Sequence, residues 1–261
     1  MIKPMLAHEY IKYKDKINWP AIAQYKIDGV RCIYYDGSFY TRNGKPIIGV
    51  PKLLAEVSSI VPKGTVIDGE LYSKELTFQE IVSVVRRSVC LSEDPKIEYW
   101  MFDIINDSRC IDRLCELKNI KCTSRMRVLN FEIVSQESVQ HIHQSAASEG
   151  FEGIIIRDVN GRYEHKRSKN LLKLKHDKSI EVTCVAIAPG QGRFRNTTGA
   201  IECSYKGKLF RVGSGLTEAQ RDMIYLHRNH YLGKTLTVKF QSFTDQGIPR
   251  FPVFVDWRDY E

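Results

Sequence analysis

Short apolar runs bounded by turn-forming residues recur along this chain of 261 residues. The runs are rich in β-branched and aromatic residues, and Gly, Pro, Asp or Asn stands at their ends, a pattern typical of β-strands. Three segments have helical spacing of apolar residues instead, at 51–61, 77–88 and 137–150. Strands mixed with so few helices predict an α+β fold with antiparallel sheets. The strands predicted in this part of the chain are 21–27, 30–36, 38–43, 65–72, 98–105, 151–158 and 170–176.

The last third of the chain has a different order of predicted elements. Three strand-like runs are followed by a helix and then by two more strands, and the helix opens with a capping box of Thr217 and Gln220. Five strands with one helix after the third is the order of an OB-fold barrel. We therefore expect two domains, an antiparallel-sheet domain over 1–177 and a small OB-fold β-barrel domain over 178–261.

Basic residues are concentrated in one stretch of the chain. The formal net charge is +8, from 39 Lys+Arg against 31 Asp+Glu, and the segment 157–178 alone holds eight Lys/Arg and three Asp/Glu. More than half of the excess charge therefore lies in this segment. A clustered basic patch indicates a polyanionic partner such as nucleic acid, with a solvated basic face as the alternative.

The seven cysteines include no C-x-x-C pair and fit no usual zinc spacing. We interpret them as reduced thiols, which indicates a reducing compartment. The N-terminal segment lacks the apolar core of a signal peptide, and no apolar run approaches the length of a membrane span. We expect an intracellular protein without a membrane partner.

Lys26 ends a predicted buried strand and stands five residues before Arg31, in the run KIDGVR. A lysine is a nucleophile only while its amine is neutral, and burial or a nearby cation lowers its pKa towards that state. Arg31, displaced from Lys26 by a turn at Gly29, is a candidate for that cation. The alternative is a pair of solvated charges, and so short a pattern does not decide between the two.

Other polar residues accompany later strand-like runs. Glu70 ends a buried strand, Phe102 lies in an aromatic strand, and Glu152 begins an apolar run. Lys173 and Lys175 share one face of a strand, because side chains along a strand repeat with period two. Each of these residues also has a purely structural interpretation, as a strand-end charge, a core ring or a solvated edge.

Five segments, taken in order, resemble the nucleotidyltransferase motifs that ATP-dependent DNA ligases, RNA ligases and mRNA capping enzymes share. They are KIDGVR, IDGEL, YWMFDI, EGIIIR and LLKLK. The runs FRVGSGLT and PRFPVF near the C-terminus resemble the OB domain of small ATP-dependent DNA ligases of bacteria and their viruses. This resemblance implies a protein of the bacterial cytoplasm, or one encoded by a virus and acting in its host cell. The chain is thus similar to the minimal, two-domain ligases of the covalent nucleotidyltransferase superfamily, with its adenylation (nucleotidyltransferase) domain at 1–177.

The resemblance implies an ATP-dependent DNA ligase that seals nicks in duplex DNA in three steps. Lys26 would attack the α-phosphorus of ATP to give lysyl-AMP, AMP would pass to the 5′-phosphate of the nick, and the 3′-hydroxyl would then attack. The OB domain would move between the first step and the later ones, about a hinge at 176–179. Two alternatives stay open: an RNA ligase or mRNA-capping guanylyltransferase, and a nucleic-acid-binding protein without catalysis.

The resemblance also implies roles at the phosphates and the metal. Lys173 and Lys175 would contact the α-phosphate, and Phe102 would stack on adenine. Glu152 would hold part of a divalent ion, and Glu70 would contact the ribose or a metal-bound water. Magnesium suits such carboxylate and phosphate oxygens, and we expect manganese to substitute for it.

Five further residues have implied roles around the nucleotide. Gln24 would read the adenine edge, and Arg31 and Arg42 would contact the nucleotide and later the 5′-phosphate of the nick. Arg250 and Arg258 are the candidates for action on the departing pyrophosphate. Together with ATP, these roles complete the adenylation chemistry that the resemblance implies.

Contacts with DNA phosphates give affinity without sequence readout. We expect a monomer to bind nicked double-stranded DNA through the basic segment 157–178 and through a Gly-rich basic loop at 190–199, which we expect to be mobile. The candidate contact residues are Arg42, Arg162, Lys166, Arg167, Arg193 and Arg195.

Overall fold

The computed structural model describes residues 2–89, 95–176 and 178–258. The chain divides into two compact units, Met1–Lys175 and His176–Glu261. The boundary expected from the sequence, after residue 177, lies two residues further along the chain. Within the described ranges, no helix is long and apolar enough to cross a membrane.

The first unit is a mixed α+β structure. Its strands are β1 (Leu6–Glu9), β2 (Ala21–Lys26), β3 (Val30–Tyr35), β4 (Ser38–Thr41), β5 (Pro46–Ile47), β6 (Ile67–Tyr72), β7 (Glu98–Ile104), β8 (Met126–Val128), β9 (Glu132–Val134), β10 (Gly153–Asp158) and β11 (Arg167–Lys175). Its α-helices are α1 (Tyr10–Tyr13), α2 (Pro51–Ile60), α3 (Phe78–Val85), α4 (Cys110–Lys118) and α5 (Val139–Ser148).

The first sheet has the strand order β1-β11-β10-β2-β9. Its neighbours are antiparallel except for β1 and β11, which are parallel. Ile154, Ile156, Leu172 and Leu174 alternate along β10 and β11 and join a buried cluster that also contains Ala146 of α5. Because strand side chains alternate between faces, the residues between these apolar ones are left for the opposite face of the sheet.

The second sheet has the strand order β5-β4-β3-β6-β7-β8, antiparallel except for β7 and β8. The hairpin predicted at 36–38 joins β3 to β4, and Asp36 and Gly37 have the positive φ angles, 48° and 72°, that a tight hairpin turn requires. One face of the sheet packs against α2, α3 and α4 in the largest buried apolar cluster of the unit. The other face is therefore available for polar residues.

Helix α4 is the main element of the first unit that the sequence analysis did not predict. Its buried residues include Cys110, Leu114 and Leu117, which have helical spacing, but charged residues separate them. One of those charged residues, Arg113, is itself buried. The helix therefore carries a polar contact into the interior that its apolar pattern alone does not reveal.

The second unit contains one five-stranded sheet in the order β14-β13-β12-β15-β16. Its strands are β12 (Lys178–Pro189), β13 (Thr198–Tyr205), β14 (Lys208–Val212), β15 (Thr235–Phe240) and β16 (Val253–Arg258), and its helices are α6 (Glu218–Leu226) and α7 (Arg228–Tyr231). The predicted order of three strands, a helix and two strands is confirmed, as is the capping box of Thr217 and Gln220. The edge strands of this sheet are β14 and β16. Among the described residues, a single isolated bridge, Ser214 to Val253, joins β16 to the segment after β14, and no continuous ladder closes the sheet into a barrel.

The loop between β12 and β13, predicted to be mobile, is folded back on itself. A short 3₁₀ turn, Gly192–Phe194, lies at its tip, and the amide of Gly190 donates to the carbonyl of Thr197 at 3.0 Å. The guanidinium of Arg221 on α6 donates to the carbonyls of Thr198, Gly199 and Gly213 at 2.6–2.9 Å. These contacts hold the base of the loop against the helix.

Replacing Arg221 with methionine is expected to lower the unfolding free energy of the second unit by roughly 2 kcal/mol, because buried carbonyls lose their donors. Denaturant unfolding followed by Trp257 fluorescence measures the loss, and faster tryptic cleavage after Arg193 and Arg195 reports loosening of the loop. Arg228→Met, at an exposed arginine of α7, is the control and should change neither. Unchanged cleavage in Arg221→Met would show that the loop is ordered without this clamp.

Candidate active site

A cavity of about 990 Å³ lies in the first unit, between its two sheets. Gln24, Lys26 and Lys173 line it from the first sheet, and Glu70 and Phe102 line it from the second. Most of the residues that the motifs predicted around the nucleotide therefore surround one space. A cavity of this size is typical of small-molecule and cofactor sites.

The strand register of the first sheet brings its lysines together. Lys26 and Lys175 both lie opposite Gly153, and Gln24 and Lys173 both lie opposite the same residue of β10 two positions later. Directly opposed residues of antiparallel strands share a face. Residues far apart in sequence are thus aligned in adjacent rows on the face that borders the cavity.

Gly153 makes the close approach at this row possible. Its φ is +149°, and a Cβ at this position would lie 2.1 Å from the carbonyl oxygen of Leu174. Only glycine fits such a site without displacing the backbone. The preceding amide, that of Glu152, donates to the carbonyl of Lys26 at 2.9 Å, which holds the glutamate beside the lysine.

Glu152 is shared between two lysines. One carboxylate oxygen pairs with Nζ of Lys26 and the other with Nζ of Lys175, and the Glu152 side chain is only 6% exposed. Burial acts to raise the pKa of Glu152, but the two ammonium groups outweigh it and hold that pKa below its usual value. The carboxylate therefore stays ionised as the common counter-ion of both lysines.

The pKa of Lys26 is raised in this ligand-free site. Burial, the largest single influence, lowers it, but the carboxylates of Glu152 and Glu70 together outweigh burial. The expectation that Arg31 keeps this amine neutral is therefore wrong for the ligand-free protein. Arg31 is committed elsewhere, since its guanidinium pairs with the buried carboxylate of Asp68, with Nε donating at 2.8 Å.

Glu70 lies on β6, opposite Arg31 on β3. It accepts a hydrogen bond from the amide of Gly29 at 3.1 Å. Burial raises the pKa of Glu70 to about 7, and Lys26 and Arg31 only partly offset this effect. Glu70 is thus poised between its neutral and ionised forms near neutral pH, which the sequence did not indicate.

The raised pKa of Glu70 gives a pH-dependent stability. This carboxyl has a pKa near 7 in the folded state and near 4.3 in the unfolded state. The folded state therefore becomes less stable as pH rises from about 4.3 to about 7. Glu70→Gln removes this titration, so its stability relative to the unmodified protein should rise by about 3 kcal/mol between pH 4.5 and pH 8. Denaturant unfolding at both pH values measures the difference. An exposed control, Glu75→Gln, should show no such dependence, and a flat difference for Glu70→Gln would contradict the assigned titration.

The part of the cavity around Gln24 and Phe102 has the features of a base pocket. Gln24 is 2% exposed, its Nε2 donates to the carbonyl of Phe102 at 3.4 Å, and its Oε1 has no partner among the described residues. The Phe102 ring lies 5.5 Å from the guanidinium carbon of Arg31 and 5.8 Å from that of Arg157. A buried acceptor without a donor, beside an aromatic ring and near three lysines, fits an adenine nucleotide.

The carboxylates at the cavity also fit a divalent ion in part. Glu70 and Glu152 supply the oxygen ligands that such ions prefer. Among the described residues, no group of three or more His, Cys, Asp or Glu side chains could hold a metal. Two carboxylates therefore need phosphate oxygens or water to complete the coordination, which is the usual arrangement for magnesium with a nucleotide.

Residues 4–175 match the family described as the ATP dependent DNA ligase domain. The chain belongs to the ATP-dependent DNA ligase family. Residues 189–258 match a second family, the DNA ligase OB-like domain, so the predicted order of a nucleotidyltransferase domain and an OB-like domain is confirmed. Members of the ligase family seal nicks through an adenylated intermediate, with ATP and a divalent metal.

Individual relatives agree with this assignment. The DNA ligase of Haemophilus influenzae is 29% identical over an alignment of 263 positions, which covers 98% of this chain and 91% of that protein. The DNA ligase of Enterobacteria phage T4 is 25% identical, and the match spans 89% of this chain but only 62% of the phage protein. Of the solved structures, one from a structure-function analysis of Lig E DNA ligases has a TM-score of 0.82 at 25% identity and covers 99% of this chain and 100% of that one. The Chlorella virus DNA ligase-adenylate has a TM-score of 0.59 at 28% identity and covers 100% and 99%.

The cations predicted to contact DNA in this ligase have different local partners. In the first unit, Arg162 donates to the carbonyl of Asp107 and Arg167 to that of Ala7, while Lys166 pairs with Glu164 at 3.2 Å; all three are exposed or at the edge of the unit. Arg42 is exposed and also lines the cavity. Arg193 and Arg195 of the second unit are exposed on the folded loop.

The two arginines predicted to act on pyrophosphate both belong to the second unit. Arg250 donates to the hydroxyl of Ser242 at 3.2 Å, and Arg258 donates to that of Thr237 at 2.7 Å. Arg258 also pairs with Glu181 at 3.5 Å and is about half exposed. Arg258 is thus anchored to the sheet of the second unit, and Arg250 to the segment that follows β15.

Sequence analysis missed several charged residues of the cavity region. Arg86 and Arg87 follow α3 and line the cavity, and the signal for them was the paired arginine at the end of a helical run. Asp103 and Arg157 are buried and ion-paired behind Phe102, and no sequence signal marked their pairing. Both sets enlarge the predicted site.

Proposed function

We propose that this chain is a DNA ligase that seals nicks in duplex DNA and acts as a monomer inside the cell. The observation that most supports this is the shared carboxylate of Glu152, which pairs with Lys26 and Lys175 beside a cavity that fits an adenine nucleotide. One nucleophile and a second cation held together at a nucleotide pocket are what transfer of a nucleotidyl group to a lysine requires. An intracellular location accords with the cysteine content, and the monomer is the simplest state that presents the cavity.

In the first step, Nζ of Lys26 attacks the α-phosphorus of ATP. The new N–P bond forms as the bond from that phosphorus to the bridging oxygen breaks, and pyrophosphate leaves with the electron pair. The amine must lose a proton, and in the ligand-free site Glu152 and Glu70 favour its protonated form. Magnesium, held by these two carboxylates and by phosphate oxygens, would neutralise the charge that raises the pKa of Lys26.

Lys173 and Lys175 are the cations proposed for the α-phosphate. In the ligand-free protein, Lys173 pairs with Glu9 at 2.9 Å and Lys175 pairs with Glu152. The incoming phosphate would take over from these carboxylates, so that cations already in position meet the negative charge that develops during transfer. Arg250 and Arg258 are proposed to act on the departing pyrophosphate.

Around the base, Phe102 is proposed to stack on adenine, and Oε1 of Gln24 to accept from its exocyclic amine. Arg31 and Arg42 are proposed for the nucleotide in the first step and for the 5′-phosphate of the nick in the second. The 3′-hydroxyl would then attack that phosphate, closing the phosphodiester bond and releasing AMP. These roles follow the motif positions and the lining of the cavity.

The nick itself would be held by exposed cations. Arg162, Lys166 and Arg167 belong to the basic segment 157–178, and Arg193 and Arg195 stand on the folded loop. Contacts of this kind position a duplex without reading its sequence. Replacing Arg193 and Arg195 with alanine should weaken binding of nicked DNA by the same factor for every DNA sequence.

Covalent labelling tests the proposal. The protein is incubated with Mg²⁺ and α-labelled ATP or GTP. One portion is denatured to detect label that stays on the chain, and a second portion, kept native, is offered a nicked DNA duplex or a nicked RNA duplex. Label from ATP followed by sealing of the DNA nick supports a DNA ligase. Label from GTP alone would indicate a capping enzyme, sealing of RNA alone an RNA ligase, and no label from either nucleotide would overturn the enzymatic proposal.

A further inference from the structure

The amide of Gln24 has one orientation because of the carbonyl of Phe102. Nε2 of Gln24 donates to this carbonyl at 3.4 Å, so Oε1 is the atom left without a partner among the described residues. A rotation of the amide by half a turn would bring Oε1 against the carbonyl oxygen, where two acceptors repel each other. The orientation of the carbonyl therefore decides whether Gln24 offers an acceptor or a donor to a base.

Arg157 binds the same carbonyl from the neighbouring strand. Its Nη2 donates to the Phe102 oxygen at 3.4 Å, and its guanidinium carbon lies 5.8 Å from the centre of the Phe102 ring. Arg157 stands two rows from Lys26 on the same face of the first sheet, one row beyond Gln24. One buried arginine thus contacts both the ring proposed to stack on the base and the carbonyl that orients Gln24.

Arg157 is in turn fixed by buried charges. Its Nη1 donates to Asp103 at 2.6 Å, and Asp103 also accepts from Arg113 of α4 at 2.8 and 3.1 Å. Asp103 and Arg113 are 0% and 1% exposed. The remaining nitrogen of Arg113, Nη1, donates to the carbonyls of Ser108 and Gly161. Backbone from two separate segments therefore fixes its position.

We propose that Arg157 is a positioning residue for base selection, held in place by Asp103 and Arg113. By fixing the Phe102 carbonyl, it keeps the oxygen of Gln24 available and so favours a purine that has an amino group, and not a carbonyl, at its C6 position. This inference rests on the proposed adenylation at Lys26, because it concerns which nucleotide reaches that lysine. It gives the arginine of EGIIIR a role in specificity apart from charge compensation.

The expected consequence is a change in preference rather than a general loss. Without Arg157, the Phe102 carbonyl loses one of the two side-chain donors that it has among the described residues, and the Gln24 amide gains freedom to present either end. A purine with a C6 carbonyl would then find a donor where it now meets an acceptor. A residue that only supported the fold would affect both kinds of nucleotide equally.

The test compares α-labelled ATP with α-labelled ITP, which differs from ATP at C6 and N1 and nowhere else on the base. The rate constant for covalent labelling divided by KM is measured for each nucleotide with the full chain, and the ratio is the readout. The unmodified protein should prefer ATP by about 100-fold, and Arg157→Met should lower this preference about tenfold, in line with the loss of one oriented hydrogen bond. Asp103→Asn should lower it in the same direction.

Controls separate this inference from the proposed function and from misfolding. Arg109→Met, which removes an exposed arginine beside α4, should leave the ratio unchanged. If Arg157→Met does not fold, it is replaced by Arg157→Lys, which keeps a cation for Asp103 but lacks the two separate nitrogens with which arginine reaches both Asp103 and the Phe102 carbonyl. An unchanged ATP-to-ITP ratio in the folded variant, or no preference in the unmodified protein, overturns the inference. No label from ATP in the unmodified protein would instead overturn the proposed function and the inference with it.

Discussion

Replacing Lys26 with arginine is expected to abolish covalent labelling by ATP. A guanidinium stays protonated at any pH at which the protein is folded, so it has no electron pair for attack on phosphorus. The cation nevertheless remains available to Glu152, whose buried carboxylate would otherwise be left with one partner instead of two. Loss of a nucleophile lowers turnover by about 10⁴-fold or more, which in a labelling assay is complete disappearance of the band.

The matched control for this variant is Lys96→Arg. Lys96 is 76% exposed and pairs with Glu75, and neither residue lines the cavity, so the same substitution should leave labelling unchanged. Sealing of a nick that already carries AMP on its 5′-phosphate bypasses the first step and should persist in Lys26→Arg. Retention of the label in Lys26→Arg would show that another residue carries the nucleotide.

Replacing Asp103 with alanine is expected to cause the largest loss of stability. Asp103 is the carboxylate between two buried guanidiniums, and its removal leaves both without an anion. Breaking a buried ion pair by removing one partner costs about 3–5 kcal/mol, because the remaining charge stays desolvated. Denaturant unfolding of the first unit, followed through Trp19 and Trp100, measures this loss.

Asp112→Ala provides the comparison for Asp103→Ala. Asp112 pairs with Arg109 at 2.7 Å, but both side chains are about half exposed. Such surface pairs contribute at most about 1 kcal/mol to the free energy of unfolding. The same change on an exposed pair and on a buried pair thus isolates desolvation as the cause. Equal losses in the two variants would contradict the assigned burial of the Asp103 network.

The sequence was sufficient to predict which site residues share a face of a strand, because such residues are two positions apart. Lys173 and Lys175 share a face because of that period, and Lys26 joins them because β2 and β11 both pair with β10. Motif order supplied their identity, and the strand register then explains their proximity. Such residues can be predicted from a local pattern, because the pairing of the strand backbones alone determines where they lie.

The sequence was insufficient where a partner was chosen by packing between distant segments. Arg31 was expected to act on Lys26, but its partner is Asp68, which lies 37 positions later and also accepts from the hydroxyl of Tyr163. The expected mobility of the loop after β12 stays a prediction, but nothing in the sequence indicated the arginine on α6 that holds the carbonyls at the base of this loop. No local pattern encodes such contacts, since each depends on which helix or strand covers the other.

Because the charged groups differ in exposure, ionic strength should affect the steps of the reaction unequally. Dissolved salt screens exposed charges strongly and buried pairs weakly. Glu152 is buried and its two lysines are partly buried, so salt screens this cluster weakly, whereas Arg193 of the loop is 77% exposed and is screened strongly. Added salt should therefore slow engagement of the nick much more than loading of the lysine. At high ionic strength the protein would accumulate with AMP attached and no strand to pass it to, which mass spectrometry of the intact chain would detect.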